Sequence, residues 1–235
     1  MKKCFIFAHY DKNNEIKSYI IDEINLLNKL GDVLFISDCE YISNINDLPK
    51  VMYLQVSRHS LYDAHSYMCG FNYLNFSHKL NEYDSITFVN SSIIFPTCEE
   101  SMFIENLSKM DNSDEKVYGM CKSGFLIQSY WITCKKCVYD IIRKFFQKYV
   151  PAETEYTFDW WSKEKIKNPS ISKYMRWYDQ RLKEVGEELA IKWIYTVINF
   201  EEGFSLYLYK NKIKLVALDY GTWKKSKFIT KVPRN

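Results

Sequence analysis

The chain has 235 residues, 47% apolar and 26% charged, the balance of a globular protein with one substantial core and not of a disordered or fibrous one. A formal charge of +3 lacks the concentrated basic face of a duplex binder, so no nucleic acid partner is expected. With 7 Gly and 5 Pro there is no low-complexity linker, and no apolar run approaches the roughly 18 residues that read as a membrane helix.

Cys4 to Ala8 is a short apolar strand ending in His9-Tyr10-Asp11. It falls short of the roughly 7–15 apolar residues of a signal peptide, and a cytoplasmic location is therefore expected. Ile16, Tyr19, Ile20, Ile24, Leu26, Leu27 and Leu30 recur at helical spacing up to Gly31, and Asp32 to Ser37 reads as the next strand. This β-α-β unit has a right-handed crossover and is how nucleotide-binding α/β folds begin. After a polar loop, Val51 to Val56 forms a third strand closed by Arg58-His59-Ser60. Tyr62 to Leu80 reads as a helix, and Ser85 to Val89 as a buried strand that delivers Asn90-Ser91-Ser92 at its carboxyl end. Ligands of open α/β sheets bind outside the carboxyl ends of the strands, so these three strand-end segments converge on one crevice.

Glu99 to Lys109 reads as a helix, Lys116 to Met120 and Phe125 to Thr133 as strands, and Cys137 to Tyr149 as a helix. Pro151 to Tyr178 is rich in Trp and charge without a clear period. Glu184 to Ile198 regains helical character, and Phe204 to Tyr209 with Ile213 to Leu218 read as a terminal strand pair. The expected organisation is one domain, with a core over residues 1–150 and an extension of the same domain over 151–235. The tail carries Lys224, Lys225, Lys227, Lys231 and Arg234 without an acid. It either lies on anionic lipid, at about 1 kcal/mol per basic residue, or is a solvated terminus. Seven irregularly spaced cysteines in a chain with no export signal point to reduced thiols. Cys134 and Cys137 have CxxC spacing, but no second pair completes a zinc site, and two small buried residues are the expectation.

Five stretches taken together resemble the rhamnan synthesis F family of glycosyltransferase-like proteins, over about residues 4–150. They are FAHYD at 7–11; Arg58 with Tyr62-Asp63 and Ser66-Tyr67; Tyr83-Asp84 with FVNSSIIFP at 88–96; Val117-Tyr118-Gly119; and IQSYW at 127–131. The resemblance implies a GT-A-like, Rossmann-like α/β fold: a central, mostly parallel sheet flanked by helices, with a small aromatic-rich C-terminal appendage. It also implies transfer of a sugar, rhamnose from dTDP-rhamnose in the family, to a bacterial cell-surface polysaccharide or lipopolysaccharide. The implied partners are a nucleotide-sugar donor, a glycan or lipid-linked acceptor and, peripherally, the cytoplasmic face of the inner membrane. The chain departs from the family where Asn-Asp-Ser becomes Asn90-Ser91-Ser92, where the Gly before Pro is Phe95, and where the His before Gln-Ser-Tyr is Leu126. A serine hydroxyl is a poor substitute for a carboxylate around a hard cation, so Mn²⁺ or Mg²⁺ is left unassigned, with Asn90 and Ser92 as its only candidate ligands.

The donor-binding candidates are His9, Tyr10, Asp11, Arg58, Asp63, Asn90, Ser91 and Ser92. Asp11 and Asp63 can accept hydrogen bonds from ribose or base, and Tyr10 either stacks on the base or is a core aromatic. Arg58 and His59 are the cations for a departing diphosphate, unless Arg58 belongs to a surface ion pair. Glu187 or Glu188, where the family carries a late Glu, is the candidate catalytic base, with Asp159 and Glu155 as alternatives. Gln128 and Ser129 either line the acceptor side or satisfy a buried hydrogen bond. Trp160 and Trp161 form a sugar platform, a piece of core or a membrane-facing patch. The rival reading is a catalytically silent sugar-nucleotide or glycan-binding protein that assists a polysaccharide synthesis complex.

Overall fold

A computed structural model describes residues 1–57, 62–123, 126–149, 172–220 and 226–232. Strand β1 (Lys3–His9) alternates its side chains between the two faces, with Phe5 and Phe7 on one and Ile6 and Ala8 on the other. Helix α1 (Ser18–Leu30) buries Ile20, Ile24 and Leu27 at helical spacing and ends at Gly31, whose amide donates to Leu27 O at 3.0 Å. A Cβ at Gly31 would stand 2.6 Å from Lys3 O, so only glycine lets the chain turn this close under β1. Strands β2 (Asp32–Ser37) and β3 (Met52–Gln55) then add to the sheet in parallel.

Helix α2 (Asp63–Phe76) crosses back, and β4 (Ser85–Asn90) pairs with the free side of β1, again parallel. The chain thus winds outward from β1 to β3 and restarts on the other side at β4, which makes the gap between the ends of β1 and β4 a topological switch point. Beyond it come β5 (Ile93–Ile94), α3 (Glu100–Asp111), β6 (Val117–Ser123), β7 (Leu126–Ile127), β8 (Trp131–Lys135) and α4 (Tyr139–Tyr149). The described strands form a mixed, mostly parallel eight-stranded sheet in the order β3-β2-β1-β4-β8-β6-β7, with β9 (Leu215–Tyr220) parallel to β6.

The continuous strand expected over 125–133 is two short strands joined by a turn at 128–130, so β8 reverses to lie antiparallel between β4 and β6. The end of the Trp-rich stretch is helical, in α5 (Ser172–Val185), followed by α6 (Glu187–Thr196). Next comes a wider π-helical segment, Val197–Glu202, and then α7 (Gly203–Lys210). Phe204 to Tyr209 is thus helix and not the expected strand. Phe204 and Leu208 share one helical face, and the Phe204 ring meets Phe145 at 4.9 Å, so packing overrides the apparent period of two. The basic tail folds back over its described part, where β10 (Thr230–Lys231) pairs with β5 and Phe228 and Ile229 are buried, so it is not a solvated terminus there.

The core lies on both faces of the sheet. One face gathers Tyr67, Phe71, Phe88, Phe145, Phe146 and Phe200. The other gathers Phe5, Phe35, Phe103, Trp131 and Phe228, with Trp131 edge-on to Phe95 at 4.9 Å. Much of the aromatic content of the described residues is spent here. Among the described residues, no helix is long and apolar enough to cross a membrane.

Candidate functional site

The ends of β1, β2 and β4 meet the start of α2 at the switch point. Ser91 N donates to Ala8 O at 3.0 Å, and Tyr10 N to Ser91 Oγ at 3.4 Å, which locks the turn after β4 against the turn after β1. Asn90 is 1% exposed and organises the centre. Its Nδ2 donates to Asp63 Oδ2 at 2.5 Å, while its Oδ1 accepts from Ser92 Oγ at 2.6 Å and Ser92 N at 3.2 Å. Tyr67, one helical turn after Asp63, donates its hydroxyl to Ser129 O at 3.1 Å.

Asp63 is half-buried in an acidic neighbourhood. Burial, and after it the charges of Glu201 and Asp38, push its carboxyl up to about 7, while Asn90 and Lys231 pull the other way. Glu201, on the π-helical segment, is also raised by burial and held down by Lys231. The sequence reading did not single out Glu201 or Asp38 and took Lys231 only as part of the basic tail, because the three come from distant stretches and belong to no motif.

Beside this centre, Tyr10, Asp11, Lys12, Asn14, Asp38, Cys39 and Glu40 line a shallow cleft of about 150 Å³. Tyr10 is exposed and is therefore not a core aromatic. Asp11 Oδ1 accepts from Asn13 N at 2.8 Å and Lys17 Nζ lies 3.9 Å from Oδ2, so the carboxylate is held at the rim.

The structure corrects some of the sequence expectations. His9 points into the molecule at 1% exposure, its Nδ1 3.2 Å from Ser37 Oγ and its ring 5.1 Å from Phe35. Burial drops its pKa to about 4, so it is neutral at pH 7 and supplies no positive charge to a ligand. Ser129 is buried and its backbone serves Tyr67, while Gln128 is half-buried beside it. Glu187 and Glu188 are exposed in the first turn of α6, and Glu188 is paired with Lys192 at 2.6 Å. Arg58, Asp159, Trp160 and Trp161 lie outside the described residues. Cys134 is buried in β8 and Cys137 exposed, and both are free thiols.

The turn does not fit a divalent cation as it is arranged. The oxygen of Asn90 already accepts two hydrogen bonds, Ser91 Oγ accepts one, and the carboxyl bonded to this turn, Asp63, accepts from Asn90 Nδ2. Among the described residues, no three His, Cys, Asp or Glu side chains gather as a metal site.

No family model matches the chain, and no curated protein matches it. The resemblance to the rhamnan synthesis F family therefore rests on the quoted motifs alone. Among solved structures, the chain is similar to a glycosyltransferase involved in the glycosylation of the major capsid of PBCV-1. The two are 8% identical, with 67% of this chain and 70% of that one covered and a TM-score of 0.39. It is also similar to A197 from STIV, at 9% identity, 67% and 72% coverage and a TM-score of 0.34.

Proposed function

We propose that the protein is a glycosyltransferase that takes a sugar from a nucleotide-sugar donor, dTDP-rhamnose being the donor implied by the family it resembles, to a growing bacterial cell-surface polysaccharide. The observation that carries this reading is the hydrogen-bonded cluster of Asp63, Asn90 and Ser92 at the switch point of the sheet, where an α/β fold offers its ligand crevice. In this reading the shallow cleft next to it, rimmed by Tyr10, Asp11 and Asp38, takes the base and ribose, and the diphosphate and sugar run on toward Asn90 and Asp63. Tyr10 stacks on the base, and Asp11 and Asp38 accept from ribose hydroxyls.

In the reaction, the acceptor hydroxyl oxygen forms a bond to the anomeric carbon as the bond from that carbon to the diphosphate oxygen breaks. The electron pair leaves with the diphosphate, and the hydroxyl proton passes to a carboxylate. Glu201 takes that role in this reading. It is half-buried, burial raises its pKa in the direction a general base requires, and it is near enough to Asp63 for its charge to raise that carboxyl. Asp63, whose carboxyl burial pushes up to about 7, acts in its protonated form as a hydrogen-bond donor to the sugar or its acceptor.

The test is nucleoside diphosphate release from a panel of sugar nucleotides in the presence of glycan acceptors. Glu201→Gln is expected to lower kcat by about 10²-fold or more, the scale of general-base catalysis, while leaving donor affinity within twofold. The rival, a silent binding protein, is favoured by the absence of a free carboxylate on the Asn90-Ser91-Ser92 turn. It predicts donor binding with no turnover in the unaltered protein and no effect of Glu201→Gln.

A further inference from the structure

The C-terminal strand brings a lysine to the turn that follows β4. Thr230 and Lys231 lie opposite Ile94 and Ile93 in the β5-β10 pair, and Val232 N donates to Ser92 O at 3.1 Å, so the strand is tied to the turn that carries Ser91 and Ser92. It is anchored from behind, since Phe228 and Ile229 are buried in the core and Thr97 N donates to Phe228 O at 3.1 Å. The Lys231 ammonium stands 4.9 Å above the Tyr130 ring, and the carbonyl of Tyr130 accepts from Asn90 N at 3.3 Å. This puts the positive charge over the paired ends of β4 and β8. Its field reaches both Asp63 and Glu201, stabilising their charged forms.

We propose that Lys231 is the group that holds the diphosphate of the nucleotide ligand against the Ser91-Ser92 turn, in the place where a hard cation would otherwise sit. The inference rests on the nucleotide-sugar reading of the site. A diphosphate that departs with an extra electron pair needs a positive charge that does not have to be recruited from solvent. An ammonium held over an aromatic face, on a strand fixed to the same turn, supplies it without coordination geometry. On the turn to which this strand is tied, the Ser91 hydroxyl accepts from Tyr10 N and keeps its own hydrogen to donate to a phosphate oxygen. The departure of Ser91 from the acid of the family motif is consistent with this exchange of a metal for a lysine.

The experiment is calorimetric titration of nucleosides and their diphosphates, all in EDTA, into the unaltered protein, Lys231→Met and Lys231→Arg. The unaltered protein is expected to bind one diphosphate at least tenfold tighter than its nucleoside. Lys231→Met is expected to lose that gain while keeping the nucleoside affinity, which also reports that the variant is folded, and Lys231→Arg to keep most of it. Equal diphosphate affinity in Lys231→Met and the unaltered protein would overturn the inference and leave the nucleotide reading standing. So would a diphosphate gain that appears only when Mn²⁺ or Mg²⁺ replaces EDTA. Failure of the unaltered protein to bind any nucleoside or diphosphate would overturn the nucleotide reading itself, and this inference with it.

Discussion

Glu23 lies on the inner face of α1, 2% exposed, with Oε1 accepting from Phe95 N at 3.0 Å and Oε2 buried without a hydrogen-bond partner. Burial raises its carboxyl to about 9 from an ordinary 4.5. The folded state therefore keeps this proton up to about pH 9, while the unfolded chain releases it near pH 4.5, so folding loses stability progressively as pH rises through that window. Glu23→Gln keeps the acceptor and removes the charge. Its melting temperature is expected to match the unaltered protein below pH 4.5 and to exceed it by a growing margin up to pH 9. A difference independent of pH would mean that Glu23 is not buried in this way. The position was legible, because Ile20, Glu23, Ile24 and Leu27 share a helical face and an acid in that row has to be neutralised or paired. The same logic does not find Glu201 or Lys231, whose partners lie far away in sequence and are set by tertiary packing alone. Asp63 and Asn90 are the intermediate case: strand-end position put them in one crevice, but not in hydrogen-bond contact.

Helix α2 carries Asp63 in its first turn and Tyr67 one turn further on, so its distance from the sheet sets the geometry of the site. That distance depends on Gly70. A Cβ there would stand 2.4 Å from Ile36 Cδ1 and 2.6 Å from Ile6 Cγ2, both fully buried. Gly70→Ala must push the helix outward or force both isoleucines from their rotamers, at a cost of about 1–3 kcal/mol. Thermal unfolding is expected to register that loss, whereas Tyr73→Ala on the exposed side of α2 is expected to cost less. A melting temperature unchanged in Gly70→Ala would mean that helix and sheet are further apart than described. At this scale the N-terminal half was largely legible, since its strands and helices alternate in period and are punctuated by turns. The C-terminal part was legible in pieces: the helix read over Glu184 to Ile198 and the strand over Ile213 to Leu218 are present as α6 and β9. A stretch such as Phe204 to Tyr209, too short for its period to decide, takes its conformation from the Phe145 and Phe200 rings it meets.

Across the whole molecule, the motifs that the sequence makes visible lie in the first 150 residues, whereas the sheet does not close within them. β9 pairs in parallel with β6 from Val117↔Leu215 to Lys122↔Tyr220. Ser205 Oγ accepts from Ile127 N at 3.0 Å, which satisfies the short strand β7. Phe200, Phe204 and Leu208 sit in the same core cluster as Tyr67, Phe88 and Phe145. On the opposite face, Phe228 meets Phe103 at a ring separation of 6.4 Å. Removing everything after residue 150 would leave one side of β6 unpaired and take the buried Phe200, Phe204 and Phe228 out of the core, where truncating a single buried Phe to Ala already costs about 3–5 kcal/mol. Several such losses exceed the roughly 5–15 kcal/mol by which a whole domain is stable. A fragment of residues 1–150 is therefore expected to lack a cooperative thermal transition and to bind a hydrophobic dye, while the full chain melts in one step. A cooperative transition in the fragment would make residues 1–150 an independent unit, and the C-terminal part would then supply Glu201 and Lys231 to a scaffold that stands without it.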